Sequence, residues 1–190
     1  MFLLKNRATA LLLVDIQQSF RQRPYFDERE VPAFFDRCRT LIDGFTRAGL
    51  PVVRIIHVDP EGPFSKASGF AVPMPELVYQ PAASFDKTVH SAMVGTGLQG
   101  WLIAHGISRL VVAGIRTEQC CETTTRNASD LGFEVDYVTE ATLTFPMATR
   151  AGRVVSADEI RERTELVLAD RFATIVTAGE AVARAKAAMA

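Results

Sequence analysis

Cys120 and Cys121 stand side by side in a chain that has only three cysteines. A vicinal pair can form a redox couple, supply half of a metal site, or set a nucleophile beside a packing residue. The surrounding stretch, GIRTEQCCETTTRNASDLGF at 114–133, reads as a helix from about Cys120 to Leu131. On it Cys121, Thr124, Thr125, Ala128 and Leu131 share one stripe, which makes Cys121 a small buried hydrophobe. Cys120 is turned about 100° from that stripe. It falls in the first turn, beside unpaired N–H groups and the positive end of the helix dipole. Such a setting lowers a thiol pKa to roughly 3.5–7.5. Cys120 is the candidate nucleophile.

Three other readings compete for this pair. Cys120 to Arg126 matches C-x5-R, the thiolate–phosphate loop of cysteine phosphatases, but CETTT has no glycine to curl amides around a phosphate. A vicinal disulfide would strain the peptide between the two residues. A structural zinc site would need further Cys or His at ligand spacing.

Two more polar residues sit where chemistry is possible. Asp15 ends the most apolar run in the chain, where desolvation would raise its pKa; read alone, it is first of all a turn or helix cap. Lys87, in SFDKTVHSAM, follows a long loop and falls on a possible short strand. By itself it reads as a solvated surface cation.

The elements that would position these residues alternate. TALLLVDI (9–16) is a continuous apolar run, as expected of a parallel strand covered on both faces. PVVRIIHV (51–58), RLVVAG (109–114), FEVDYV (133–138) and FATIVT (172–177) also read as strands. Between them, 31–48 carries Phe34, Phe35, Cys38, Leu41, Ile42, Phe45 and Ala48 at helical spacing, with Gly49 as the stop. Cys38 lies in that stripe and is core. A helix is expected over 96–105, and Ser156/Glu159 and Thr177/Glu180 have capping-box spacing ahead of two more. The alternation predicts a three-layer α/β architecture, with about six mostly parallel strands between helices.

Residues 59–83 break the rhythm with five prolines and two glycines. So long a loop is either functional or a surface excursion or subunit contact. It leaves the carboxyl end of the second strand, the edge where open α/β sheets bind ligands.

Composition narrows the class. Hydrophobic residues make up 48% and charged residues 23%, which fits one globular domain spanning 1–190. A net charge of −1 supplies no electrostatic footprint for nucleic acid or an anionic membrane. So few cysteines make no disulfide framework, as expected in a reducing compartment. The opening MFLLKNRATALLLVDIQQ has a faint signal-peptide look, but Asp15 interrupts it and no small-residue cleavage site follows. The expected setting is the cytoplasm.

Taken together, these residues resemble the isochorismatase-like cysteine hydrolases, which include nicotinamidases, N-carbamoylsarcosine amidases and other small-amide hydrolases. The likeness spans nearly the whole chain: Asp15 with Gln17 and Phe20; Lys87 ahead of GTGL (95–98); then Gly114, Thr117, Cys120, Cys121 and Thr124. The family usually has Val where Cys121 stands. The resemblance implies a triad of Asp15, Lys87 and Cys120, with Cys120 attacking a carbonyl, Asp15 moving protons and Lys87 balancing charge. It also implies an oxyanion hole from the backbone N–H groups of Arg116 and Cys120, and a cis peptide at Ile115–Arg116. The substrate is expected to be a small amide or carbamoyl compound, cleaved at C–N through a thioester. The alternative is an enol-ether hydrolysis that uses Asp15 as acid and needs no thiol.

Departures from the family narrow this further. The metal-binding Asp-His-His set of nicotinamidases is reduced to His57 in HVDPEGPFSKASGF, so neither metal nor other cofactor is expected. Phe20, His57, Phe64 and Phe70, in loops following the first two strands, are expected to wall the substrate pocket. The Arg116 side chain either points inward to hold a substrate carboxylate or lies in solvent. Relatives are often dimers or tetramers, so a homo-oligomer is expected.

Overall fold

The computed structural model describes residues 8–189; residues 1–7 and Ala190 lie outside the described residues. The signal-peptide comparison and the one-domain reading therefore rest partly on residues outside that range. Six strands form one parallel sheet. They are β1 (Ala8–Val14), β2 (Val52–His57), β3 (Ala83–Lys87), β4 (Ile107–Ile115), β5 (Glu134–Leu143) and, two hairpin strands later, β8 (Thr174–Ile175). Their order is β3-β2-β1-β4-β5-β8, every neighbouring pair parallel. The chain builds outward from β1 to β3, then returns to the other side of β1 to lay down β4. Neighbouring strand ends that lead their connections to opposite sides leave a crevice, and it opens at the carboxyl ends of β1 and β4.

Burial on both faces explains the unbroken apolar run of β1. Leu11 and Leu13 pack under α1 (Val31–Arg47) and α5 (Ala178–Ala187). Ala10, Leu12 and Val14 pack against α2 (Leu98–Ala104), α3 (Glu122–Asp130) and the end of α4 (Ala157–Leu168). Both capping boxes form: Ser156 with Glu159 opens α4, and Thr177 with Glu180 opens α5. Among the described residues no helix is long and apolar enough to cross a membrane.

The long loop is packed rather than loose. It folds back over the turn after β1, where Gln18 N–H donates to Val72 O at 2.9 Å and Met74 N–H to Ile16 O at 3.1 Å. Met74 and Leu77 from this loop join the core under α1.

Some elements differ from expectation. β5 runs on to Leu143, past the predicted end at 138; its ladder with β4 shifts register between Val112 and Gly114 and then resumes. Threonines obscured this in the sequence, and Thr142 satisfies its hydroxyl on the Thr139 carbonyl within the strand. β8 is only two residues long at the sheet edge. A hairpin of β6 (Met147–Ala148) and β7 (Val154–Val155) was not foreseen, because two-residue strands are too short to show a period. Leu131, assigned to the buried stripe, follows the end of α3 and is exposed.

Gly114 shows how tightly the crevice is built. It lies opposite Val14 in the β1–β4 ladder with φ +139, and a Cβ there would meet the Val14 carbonyl oxygen at 2.0 Å. Gly114→Ala is therefore expected to lower stability by at least about 2 kcal/mol, read as the shift of a urea unfolding midpoint. A midpoint equal to the parent's would contradict this close approach.

Candidate active site

Three strand ends deliver three side chains to one point. Asp15 follows β1 with φ +53, a left-handed conformation that Asp tolerates better than most residues. Lys87 is the last residue of β3, and β3 is in register with β2 so that His57 and Lys87 are partners. Cys120 lies in a π-helical turn, Thr117–Cys121, between β4 and α3, where Cys121 N–H reaches back five residues to Arg116 O. Such widened turns are frequent at functional sites.

Lys87 is the hub. Its Nζ lies 2.8 Å from Asp15 Oδ2, and both side chains are wholly buried. It also donates to Cys120 Sγ at 3.2 Å and Val89 O at 3.1 Å, and meets His57 Nδ1 at 2.9 Å. Asp15, His57 and Cys120 each offer a metal-ligating atom, all within 4.8 Å of one another, but the ammonium sits among them as their shared cation. Beyond Lys87 and the Cys120 thiol, the Asp15 carboxylate has no hydrogen-bond partner among the described residues, which leaves an oxygen open.

Burial sets the electrostatics. It pushes the Asp15 carboxyl up, and the Lys87 charge only partly opposes this. For Lys87, burial works to lower the pKa, but the Asp15 charge and the contacts to Asp15 and Cys120 together outweigh it, and the net direction is up. The Cys120 thiol is pushed up to about 12, first by burial, then by the Asp15 charge, with Lys87 opposing. This corrects the expectation of a depressed thiol pKa. The helix-start argument omitted the carboxylate that tertiary structure places beside the sulfur. Cys121 is fully buried among core residues and its pKa is raised still further, again by burial first.

A cavity of about 310 Å³ opens onto this centre, lined by Asp15, Phe20, Arg23, Tyr25, His57, Asp59, Phe64, His90, Gln119 and Cys120. A larger groove of about 470 Å³ lies against the β6–β7 hairpin and α4, but only Glu118 links it to the Cys120 turn. The chemistry belongs to the smaller cavity. Phe20 and Phe64 meet edge to face at 5.0 Å, and Phe64 also meets the His57 ring edge to face. Phe70 does not line the cavity. Its side chain is exposed, and its contribution is a carbonyl that accepts the Ser19 hydroxyl at 2.9 Å.

Arg116 turns inward and is buried, but it is not among the residues that line the cavity. Its guanidinium pairs with Glu118 at 3.1 Å, lies 4.9 Å from the Tyr25 ring centre and donates to Phe145 O. With those partners it is not free to hold a substrate carboxylate. The Ile115–Arg116 peptide is cis.

Other residues of the sequence motifs brace the centre. Gln17 clamps the His57 backbone, accepting its N–H at 2.8 Å and donating to its carbonyl at 3.0 Å. Thr124 accepts from Ala92 N–H at 3.0 Å, tying the loop after Lys87 to α3. Thr117 shares a 2.7 Å hydroxyl contact with Thr142 and accepts from the Tyr137 hydroxyl on its carbonyl. Arg23, Tyr25, Asp59, His90 and Gln119 were missed in the sequence. All stand in segments following a strand, so the reasoning that picked out Phe20 and Phe64 could have reached them.

The architecture agrees with comparisons to known proteins. The isochorismatase domain pattern matches residues 9–178. The isochorismatase family protein YrdC of Bacillus subtilis is 30% identical over 181 residues, covering 91% of this chain and 94% of its own. A crystal structure of an isochorismatase-family protein from Chromobacterium violaceum superposes with a TM-score of 0.85 at 30% identity, covering 95% of this chain and 94% of that one. Nicotinamidase 3 of Arabidopsis thaliana is 36% identical over 96 residues, 50% of this chain and 43% of its own. The chain belongs to the isochorismatase family of hydrolases.

The cysteines are expected to be unequal in the folded protein. Iodoacetamide treatment of the folded protein at alkaline pH, followed by peptide mapping, should label Cys120, which lines the cavity, and spare Cys38 and Cys121, which are sealed in the core. Label on Cys121 would contradict the assignment.

Proposed function

We propose that this chain is a cysteine hydrolase that cleaves the C–N bond of a small amide or carbamoyl compound, with Asp15, Lys87 and Cys120 as its triad. The observation that carries this reading is one buried ammonium touching both a carboxylate and a thiol. Similarity to a nicotinamidase over half the chain supports the choice of bond. As Cys120 Sγ attacks the carbonyl carbon, its proton passes to the open Asp15 oxygen. The centre has the same net charge before and after: carboxylate, ammonium and thiol become carboxylic acid, ammonium and thiolate. No uncompensated charge is created in the buried site, which is why a thiol with a raised pKa can still serve. Once Asp15 is neutral, Lys87 stabilises the thiolate instead.

The carbonyl electrons move onto oxygen, where the backbone N–H groups of Arg116 and Cys120 act as donors in this proposal. The tetrahedral adduct expels ammonia or an amine, which takes the proton from Asp15, and a thioester to Cys120 remains. Water then attacks the thioester and gives its proton to Asp15. The sulfur leaves and recovers that proton, and the carboxylic acid departs. Phe20, Tyr25 and Phe64 present aromatic surface, and the small cavity suits a compact, flat substrate.

A second reading is favoured by one observation: Asp15 has a raised pKa and an open oxygen, as an acid protonating a vinyl ether would need. The thiol separates the two. A screen of small amides for ammonia release should find a substrate whose turnover falls at least about 1000-fold in Cys120→Ala and about 100- to 10,000-fold in Asp15→Asn. Hydrolysis of an enol ether that survives Cys120→Ala would instead establish the second reading.

A further inference from the structure

The proposed reaction gives work to Asp15, Lys87 and Cys120, yet a fourth side chain lies within 0.1 Å of the carboxylate's distance from the ammonium, at 2.9 Å against 2.8 Å. We propose that His57 and Asp59 form a positioning dyad that holds the Lys87 ammonium against Cys120. This inference rests on the cysteine-hydrolase reading above.

The hydrogen-bond inventory assigns the roles. An ammonium has three protons and no lone pair, so it can only donate. His57 Nδ1, 2.9 Å from Lys87 Nζ, must therefore be the bare, accepting nitrogen of the ring. The ring proton then resides on Nε2, which meets Asp59 Oδ1 at 2.9 Å and donates to it. The tautomer is fixed from both ends. Rotating the ring would break both bonds, and Gln17 holds the His57 backbone through its N–H and its carbonyl.

Counting partners shows why this matters. Lys87 has three protons for four neighbours: Asp15 at 2.8 Å, His57 at 2.9 Å, Val89 O at 3.1 Å and Cys120 at 3.2 Å. At rest the sulfur is the most distant of the four. When Asp15 takes the thiol proton, its grip on the ammonium weakens at the moment the thiolate needs that ammonium nearby. His57 and Val89 O are neutral acceptors that do not change during the step. They hold Nζ in place, so the ammonium N–H that had been donated to Asp15 can turn to the sulfur. Asp59 keeps His57 an acceptor; without it the ring could carry its proton on Nδ1 and present a donor to a donor.

The test uses the full-length protein and the amide it turns over fastest. His57→Phe keeps a ring but removes the acceptor, whereas His57→Asn restores an oxygen close to the Nδ1 position. His57→Phe is expected to lower kcat about 100-fold with KM within about threefold of wild type, the signature of a lost transition-state interaction. His57→Asn should recover all but about tenfold of that loss, and Asp59→Leu should lose about tenfold with Asp59→Asn milder. The rate of Cys120 alkylation by iodoacetamide gives the same ranking without a substrate. A His57→Phe protein with wild-type kcat and alkylation rate would overturn the dyad. So would equal damage in His57→Phe and His57→Asn, folded by circular dichroism, with the effect confined to KM, because His57 would then be only cavity wall. Turnover that survives Cys120→Ala marks a different failure, that of the hydrolase reading, and the alkylation ranking still decides the dyad.

Discussion

A lysine ammonium with no access to water must find all of its partners within the protein. Removing one partner from a buried ion pair typically costs about 3–5 kcal/mol, because the other charge is left uncompensated. Lys87 meets this constraint with Asp15, His57, the Val89 carbonyl and Cys120, each drawn from a different segment. Much of the surrounding structure keeps those segments together. Gly114 lets β4 lie against β1, Gln17 ties the β1 turn to the end of β2, and Thr124 ties the loop after β3 to α3.

The same constraint explains the thiol. A cysteine at the start of a helix, beside an ammonium, would ordinarily be read as a ready-made thiolate. Here burial and the Asp15 carboxylate oppose ionisation more than Lys87 favours it, and the thiol pKa is pushed up to about 12. The proton is not lost to solvent but stays beside Asp15. A centre of this kind is quiet toward stray electrophiles and becomes nucleophilic when the proton moves inside it.

The fold was largely legible because parallel strands covered on both faces leave unbroken apolar runs, as in β1, β2 and β4. A shared carboxyl edge then made Asp15, Lys87 and Cys120 plausible neighbours despite their separation in sequence. The division of labour between the cysteines also followed from helical spacing: Cys121 is in the core and Cys120 lines the cavity. What sequence could not supply was direction and depth. Phe70 lies in the right loop but turns out to solvent, while Phe64, six residues earlier, faces the cavity. Arg116 turns inward to a partner only two residues along the chain, and no spacing reveals that Glu118 claims it. The thiol pKa was misjudged for a related reason, since the decisive charge comes from another strand.

The central claim is that burial and the Asp15 carboxylate together keep the Cys120 thiol protonated, with its proton held beside Asp15. The direct measurement is the rate of Cys120 alkylation, resolved by peptide, as a function of pH in wild type and Asp15→Asn. The wild-type rate should keep climbing, without a plateau near neutrality, to the highest pH at which the protein stays folded. In Asp15→Asn the profile should move to lower pH, because the opposing carboxylate is gone and Lys87 remains to stabilise the thiolate. A wild-type profile that levels off near neutral pH and is unmoved by Asp15→Asn would contradict the account.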